Sequence, residues 1–188
     1  PSETGTVTFT LTAFGIAPCV DATDQLSLTV NEAVAVSAGP PPTICEGSSY
    51  TFSTATVSGN NGLLWTTAGD GTFDDAGIIA ATYTPGPLDI INESAPITLT
   101  AYGNPSCTDK HSNISLSITR QVTVDAGDNA TICQTETFTP NTAVSQHYGS
   151  LLWSHNGSGV LSGANTLTPV YTPGAGESGT ITLTLDAY

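Results

Sequence analysis

The stretch "LLWTTAGDGTF", residues 63–73, has a counterpart in "LLWSHNGSGVL", residues 151–161, and the two contain the only tryptophans of the chain. The interval between them is 151 − 63 = 88 residues. Other pairs of matching residues lie at the same interval: Cys19 and Cys107, Cys45 and Cys133, Tyr83 and Tyr171. A fixed interval shared by unrelated residue types predicts a tandem array of one repeated unit.

The alignment of the repeats sets their boundaries. Residues 39–85 and 127–173 align without a gap, with about a third of the positions identical. We therefore expect residues 1–32 to be the C-terminal part of one repeat, 33–120 a complete repeat, and 121–188 the N-terminal part of a third. Because the chain begins inside a strand pattern, we expect it to be an internal piece of a longer polypeptide.

Within residues 33–120, apolar residues alternate with threonine and serine, which is the period of half-buried antiparallel strands. The alternating segments are "AVAVSAG", "YTFSTATV", "LLWTTAG", "ATYTP", "PITLTAYG" and "NISLSITRQVTV". Clusters of Gly, Pro, Asn and Asp separate them, and no segment has helical spacing. Six or seven short strands in about ninety residues predict an all-β fold of immunoglobulin-like two-sheet sandwiches arranged end to end.

Each tryptophan is predicted to fill the core of its own sandwich rather than to form a ligand platform. The apolar residues expected to face the indoles are Ile97, Leu99 and Ala101 for Trp65, and Ile181, Leu183 and Leu185 for Trp153. Burial of one such aromatic side chain stabilises a fold by about 2–3 kcal/mol. Replacing either tryptophan by alanine is therefore expected to unfold its own repeat and to leave the neighbours folded.

The charge of the chain excludes two classes of partner. Sixteen acidic residues face two Lys and Arg residues, for a formal net charge of −14. Such a chain repels the phosphates of nucleic acids and anionic lipids, so neither is expected to bind it. Its apolar runs are too short to cross a membrane, so no membrane insertion is expected either.

The stretches "AGPPPTICEGSSYTFSTATV", "LLWTTAGDGTF", "YTPG" and "ITLTAYGNPSC" resemble the PKD-like or Ig-like repeats of very large surface proteins of Bacteroidota. These proteins include the gliding-motility adhesins of the SprB type, which are exported by the type IX secretion system. The resemblance runs along essentially the whole chain. The third repeat departs from the pattern, with "TICQT" for "TICEG" and "HNGSG" for "AGDGT".

The resemblance implies a structural function: a stalk or filament at the cell surface that extends a binding tip for attachment or gliding. It implies a secreted protein whose partners are neighbouring repeats, with extracellular polysaccharide or other surfaces as further partners. Exposed edge strands also allow lateral self-association. The alternative hypothesis is a carbohydrate-binding or accessory Ig-like module of a large secreted enzyme, with Tyr148 as its loop aromatic.

Four cysteines without a C-x-x-C pair favour disulfides over a zinc site. In the sandwich plan, Cys45 and Cys107 lie near opposite ends of the repeat. Seven residues of strand span about 23 Å, whereas a disulfide needs Cα atoms about 6 Å apart. A bond between them requires the last hairpin to fold down the side. The alternative is a latch across each joint, in which these two cysteines, and likewise Cys19 and Cys133, bond cysteines of adjacent repeats. Both arrangements stay open, with a slight preference for the latch because it stiffens the joints.

Two sets of acids are candidate ligands for Ca²⁺, which binds carboxylates and loop carbonyls. The first lies in "GDGTFDD": Asp70, Asp74 and Asp75. The second combines acids near a linker with acids of the last hairpin: Asp125 and Asp128 with Asp21, Asp24 or Asp109. A turn whose Asp and Gly supply backbone geometry is the competing interpretation of the first set, since the third repeat has no acid at those three positions. No other cofactor is expected.

The histidines give no indication of an active site. His111, His147 and His155 share no register between repeats. None has a Ser, Cys or carboxylate partner at a spacing typical of nucleophilic catalysis. We therefore expect that the chain is not an enzyme.

Overall fold

The computed structural model describes residues 4–188, whose regular secondary structure is almost entirely β-strand, arranged in several small sheets. The chain divides into two compact units, Pro1–Thr119 and Arg120–Tyr188. This division falls one residue before the predicted boundary at 120. The predicted boundary at 32 falls inside the first unit and stays a prediction, and residues 1–3 of that segment lie outside the described residues.

The first unit contains eleven of the described strands and one short helix. They are β1 (Gly5–Ala13), β2 (Ala22–Val30), β3 (Ala35–Ser37), β4 (Thr43–Cys45), β5 (Tyr50–Thr51), β6 (Thr56–Ser58), β7 (Asn60–Thr67), β8 (Thr72–Phe73), β9 (Thr82–Thr84), α1 (Pro87–Ile91), β10 (Ser94–Gly103) and β11 (Lys110–Thr119). The largest sheet has the order β4-β11-β10-β7, smaller sheets are formed by β5-β9-β8 and by β3-β6, and β1 and β2 form a separate hairpin. Sheets that share one core are consistent with a β-sandwich.

The second unit is built from shorter strands. They are β12 (Thr123–Asp125), β13 (Val144–Gln146), β14 (Leu151–His155), β15 (Val160–Ser162), β16 (Val170–Thr172) and β17 (Leu183–Ala187). They form three antiparallel pairs: β12 with β13, β14 with β17, and β15 with β16.

Two predicted strands are interrupted in the structure. "YTFSTATV" forms β5 and β6 with a turn at 52–55, and "NISLSITRQVTV" forms β11 and β12, which belong to different units. The expectation that no helix forms was wrong, because α1 follows Gly86. Pro87 lies in the first turn of α1, where the N–H that proline lacks would have no partner within the helix. Because α1 is only five residues long, its sequence cannot show a helical period.

The core of the first unit surrounds Trp65, which is 1% exposed. Its ring stacks on Phe52 with centroids 4.3 Å apart and lies 6.0 Å from Phe73. Across the sheet, Trp65 on β7 is paired with Leu99 on β10. The indole Nε1 donates to the carbonyl of Ile78 at 3.0 Å, so the buried donor is satisfied.

A separate core in the second unit surrounds Trp153, which is 3% exposed. Trp153 is paired with Leu185 on β17, and Nε1 donates to the carbonyl of Thr166 at 3.0 Å. Both this acceptor and its counterpart in the first unit lie thirteen residues after the tryptophan. The two indoles therefore belong to two interiors, and the strand pairing and the hydrogen bond of Nε1 are the same in both.

The hairpin of β1 and β2 repeats the geometry of β10 and β11. Thr6 pairs with Thr29, and the residues 88 positions later, Ser94 and Ser117, form the same antiparallel pair. One face of the hairpin is apolar and exposed: Val7, Phe9, Leu11, Leu26, Leu28 and Val30. The opposite face carries threonine, serine and glutamine.

We predict that Trp65→Ala lowers the free energy of unfolding of the first unit by about 3–5 kcal/mol, because it leaves a cavity between the stacked rings. Urea unfolding followed by far-UV circular dichroism measures this loss. In this variant Trp153 is the only tryptophan, so its fluorescence reports the unfolding of the second unit. That unfolding transition is expected to occur at the same urea concentration as in the parent chain. Leu64→Ala on the half-exposed face of β7 is the control. A shift of the Trp153 transition as large as that of the first unit would contradict separate cores.

Candidate functional site

A buried carboxylate organises the loops at one end of the first unit. Asp89 on α1 is 1% exposed, and its Oδ2 accepts from the hydroxyl of Tyr83 at 2.6 Å. The same oxygen accepts from the backbone N–H groups of Gly71 and Gly86, both at 3.1 Å. The carboxylate thus fixes two loops and a strand at once. We call this arrangement the tyrosine–carboxylate clasp.

The second unit contains a matching clasp. The Tyr171 hydroxyl donates to Glu177 Oε2 at 2.8 Å, and the Gly174 N–H donates to the same oxygen at 2.8 Å. The other oxygen, Oε1, accepts from the N–H of Ser158. Tyr171 and Glu177 both lie 88 residues after their counterparts, 171 − 83 and 177 − 89, with glutamate in place of aspartate.

The clasp explains why glycines flank the loop residue in "GDG" and "GSG". A Cβ at Gly69 would overlap the Asp89 carboxylate, and a Cβ at Gly71 would overlap the Tyr83 hydroxyl. In the second unit, a Cβ at Gly157 or Gly159 would overlap the Tyr171 hydroxyl in the same way. Glycine is required at these positions because the loop backbone approaches the buried oxygens closely.

The two tyrosines of the clasps are stabilised in their neutral form. Burial, followed by the hydrogen bond to Asp89, raises the pKa of Tyr83 to about 12. Burial and the hydrogen bond to Glu177 also raise the pKa of Tyr171. The N–H of Gly174 lowers the pKa of Glu177, with further contributions from Tyr171 and Ser158. In each clasp the neutral phenol donates and the carboxylate accepts.

Sequence reasoning missed Asp89 and Glu177. The signal was present, because an acid follows the tyrosine by six residues in both "YTPGPLD" and "YTPGAGE". Neither acid lies in an alternating segment or in an aspartate-rich loop, so the patterns that predict strands and calcium sites do not single them out.

The structure does not bring the first set of candidate calcium ligands together. Asp70 accepts from the N–H groups of Leu88 and Asp89 at 3.1 Å, and so binds the start of α1. Asp74 accepts from the N–H groups of Asp75 and Thr82 at 2.7 Å. Asp75 itself accepts from the N–H of Gly77. Each carboxylate is used by a different segment of backbone.

The second set of acids is also engaged locally. Within the described residues, no three His, Cys, Asp or Glu side chains form a group suited to a metal ion. The acids of the hairpins and the linker bind backbone close in sequence: Asp21 to Gly15, Asp24 to Gln25, Asp109 to Gly103 and Asp125 to Gly127. Asp128 donates its own N–H to Thr142. Calcium binding at either set stays a prediction.

The four cysteines are free thiols in the structure. Cys45 pairs with Thr119 at one end of β11, whereas Cys107 lies in the turn before Lys110 at the other end. Nine residues of strand separate those ends by about 30 Å, far beyond the Cα distance of a disulfide. A bond between Cys45 and Cys107 within the unit is therefore incompatible with this fold, and a latch to further repeats stays a prediction.

The histidines occupy unrelated environments. His111 Nδ1 lies 2.9 Å from the hydroxyl of Thr100 on an exposed strand, and His155 packs edge-on against Tyr171. The absence of catalytic function stays a prediction. Among residues 4–188, no helix has the length and hydropathy needed to span a bilayer.

Comparisons with known proteins place this fold in no family. The chain matches no protein-family model, and no curated protein matches it. The resemblance to repeats of bacterial surface adhesins therefore stays a prediction from its quoted motifs.

We predict that raising the pH destabilises the first unit through Tyr83. Its folded pKa of about 12 lies above the ordinary tyrosine value of 10.0. The folded state therefore holds the proton more tightly, so the contribution is full below pH 10 and is lost as the pH rises toward 12. Urea unfolding at a series of alkaline pH values, with absorbance at 295 nm to follow tyrosinate, measures this loss.

Tyr83→Phe is expected to flatten the alkaline decline in the stability of the first unit, because Tyr83 is the group whose raised pKa causes it. The matched control is Tyr102→Phe, which removes an exposed hydroxyl. An unchanged decline in Tyr83→Phe would show that the clasp does not cause it.

We predict four reactive thiols in the non-reduced chain. Denaturation without reductant, alkylation and intact-mass measurement are expected to show four alkyl groups per chain, because no two cysteines of a unit meet in this fold. A chain with two alkyl groups and a Cys45–Cys107 peptide after digestion would contradict the observed separation along β11.

Proposed function

We propose that this chain is a section of the stalk of a large, repetitive bacterial cell-surface adhesin, exported from the cell. In this proposal, Ig-like β-sandwich modules recur about every 88 residues and follow one another end to end. The observation that carries it is the recurrence of one set of contacts in two separate interiors. The indole, its carbonyl acceptor and the clasp recur at equivalent positions in each.

A modular stalk gains from units that fold independently. When each unit buries its own indole, stability is set unit by unit, and the length can grow by adding copies. The net charge of −14 keeps such a chain soluble and disfavours collapse of its modules onto one another.

The cysteine positions support a latch at the joints of the stalk. Cys45 lies beside Thr119, where β11 ends and the chain leaves the first unit. At the opposite end of β11, the Cys107 Sγ lies 3.8 Å from the carbonyl of Glu32, next to the predicted boundary between repeats. Thiols at both ends of a module are suited to bonds with the preceding and following modules.

The buried indoles weigh against the alternative of a carbohydrate-binding module. Sugar sites commonly use exposed flat aromatic rings, but Trp65 and Trp153 are both enclosed. Tyr148 is the loop aromatic predicted for such a site, and it is 39% exposed. One half-exposed tyrosine offers little area for stacking on a polysaccharide.

Pulling the chain from its two ends in a force spectrometer tests the proposal. Independent modules are expected to give separate unfolding events, with about 30 nm of chain released by residues 33–119. Trp65→Ala is expected to remove or weaken the event of its own unit and to leave the other in place.

A second arm distinguishes the stalk from the alternative. The chain is passed over immobilised polysaccharides, with Tyr148→Ala as the matched variant. No retention is expected for a stalk section. Retention that is lost in Tyr148→Ala would favour the binding module, and one concerted unfolding event for the whole chain would contradict the stalk.

A further inference from the structure

A short segment between β2 and β3, residues 31–34, joins the hairpin to the body of the first unit, residues 35–119. We call this segment the joint. Its sequence is "NEAV", without the glycine, serine or proline typical of linkers. Val34 is buried, so the joint is anchored to the body of the unit at its C-terminal end.

The backbone of the joint passes directly over the turn at Gly59. This glycine has a left-handed φ of +65°, and a Cβ there would overlap the carbonyl group of Ala33. The same Cβ would lie 3.0 Å from the carbonyl oxygen of Glu32. Glycine therefore allows the close approach of the joint as well as the conformation of the turn.

The turn between β10 and β11 contacts the joint as well. The carboxamide of Asn31 donates to the carbonyl of Pro105 at 3.1 Å, and the Cys107 Sγ lies 3.8 Å from the carbonyl of Glu32. The carboxamide of Asn104 donates to the carbonyl of Gly59 at 3.1 Å. This last bond links the two turns, so that they form one surface for the joint.

The turn between β10 and β11 has a shape set by its own residues. The N–H of Gly103 donates to Asp109 Oδ1 at 2.8 Å, and the N–H of Cys107 donates to the carbonyl of Asn104 at 2.8 Å. The same two bonds form 88 residues earlier, from Gly15 to Asp21 and from Cys19 to Ile16. The surface on which the joint lies is therefore preformed.

We propose that the joint is a rigid interface, in which these two turns hold the hairpin in one orientation on the body of the unit. Segments linked by one crossing of the chain ordinarily move relative to each other. Such motion needs a hinge residue whose backbone dihedral angles are free to change. Each residue of the joint is engaged: Asn31 by its side chain, Glu32 and Ala33 by their carbonyl groups, and Val34 by burial.

The partner that this surface fits is the end of the last strand of a preceding repeat, which is β2 in this chain. The inference deepens the proposed stalk function and rests on it for its biological meaning, because a stalk that extends a binding tip gains from joints that do not bend. The contacts that carry it lie within residues 31–107. A flexible joint would contradict the inference and would leave the separate unfolding of the modules, which tests the stalk, unaffected.

Distances between two spin labels test the rigidity in the full chain. All four cysteines are replaced by serine, and labels are attached through Ser27→Cys on β2 and Thr66→Cys on β7, both exposed positions. Double electron–electron resonance is expected to give one narrow distance distribution. Gly59→Ala is expected to at least double its width, because the added Cβ displaces the joint.

Gly47→Ala is the matched control for the strain of a left-handed alanine. Gly47 has a φ of +83°, and no described atom lies within 4 Å of the position of its Cβ. The distribution in this variant is expected to stay narrow. Asn31→Ala, which adds no strain, is expected to broaden it by a smaller amount. A broad distribution in the parent, or equal widths in the two glycine variants, overturns the proposal.

A crosslink tests the position of the joint by a different measurement. In a chain carrying Cys19→Ser, Cys45→Ser and Cys133→Ser, the substitution Glu32→Cys is expected to form a disulfide with Cys107 of the same chain on mild oxidation. The control, Ser27→Cys, places the thiol five residues earlier, about 17 Å away along β2. It is expected to react at least tenfold more slowly. Equal rates, or bonds formed only between separate chains, overturn the proposal.

Discussion

One buried indole in each unit ties a long loop to the sheet, and the rest of the unit depends on that contact. Trp65 projects from a strand that pairs with Leu99, and its Nε1 must find an acceptor because a buried donor left unpaired is costly. The acceptor is the carbonyl of Ile78, so the loop between them has to return to the ring. Trp153 imposes the same path with Thr166. A side chain that satisfies both stacking and hydrogen bonding thus determines backbone that is distant from it in sequence.

The sequence predicts the strands that have an alternating pattern of their own. It does not predict strands that form only by pairing with a segment distant in the chain. Alternation predicts β7 and β10 because each has one face in the core. The "TIC" triplet at 43–45 has too few residues to carry a pattern, and it forms a strand because it pairs in parallel with the end of β11. Local sequence cannot encode that pairing, because its partner residues lie about 75 positions away.

The acids show a similar division between what composition predicts and what packing decides. A loop rich in aspartate favours a cation site on chemistry alone, but a carboxylate also accepts backbone N–H groups, and the described loops contain many of these. Asp70 binds the start of α1, and Asp74 binds Thr82. The N–H groups of Thr82 and Asp75 lower the pKa of Asp74. In a chain with few basic side chains, backbone donors take the place of Lys and Arg as partners of the carboxylates, and the candidate site residues become loop supports.

The clasp persists where the surrounding backbone changes. After "YTPG", the second unit is two residues shorter than the first: the "YTPG" segments are 88 residues apart, but Tyr102 and Tyr188, at the end of the next strand segment, are 86 residues apart. The helix of the first unit lies in this interval, and no helix forms at the equivalent place in the second. The acid lies on α1 in the first unit and on irregular chain in the second. Glu177 has one more methylene than Asp89 and still reaches both Tyr171 and the N–H of Gly174. The loop therefore tolerates a deletion provided that a carboxylate reaches the phenol, which makes the clasp the constraint and the helix one of two ways to satisfy it.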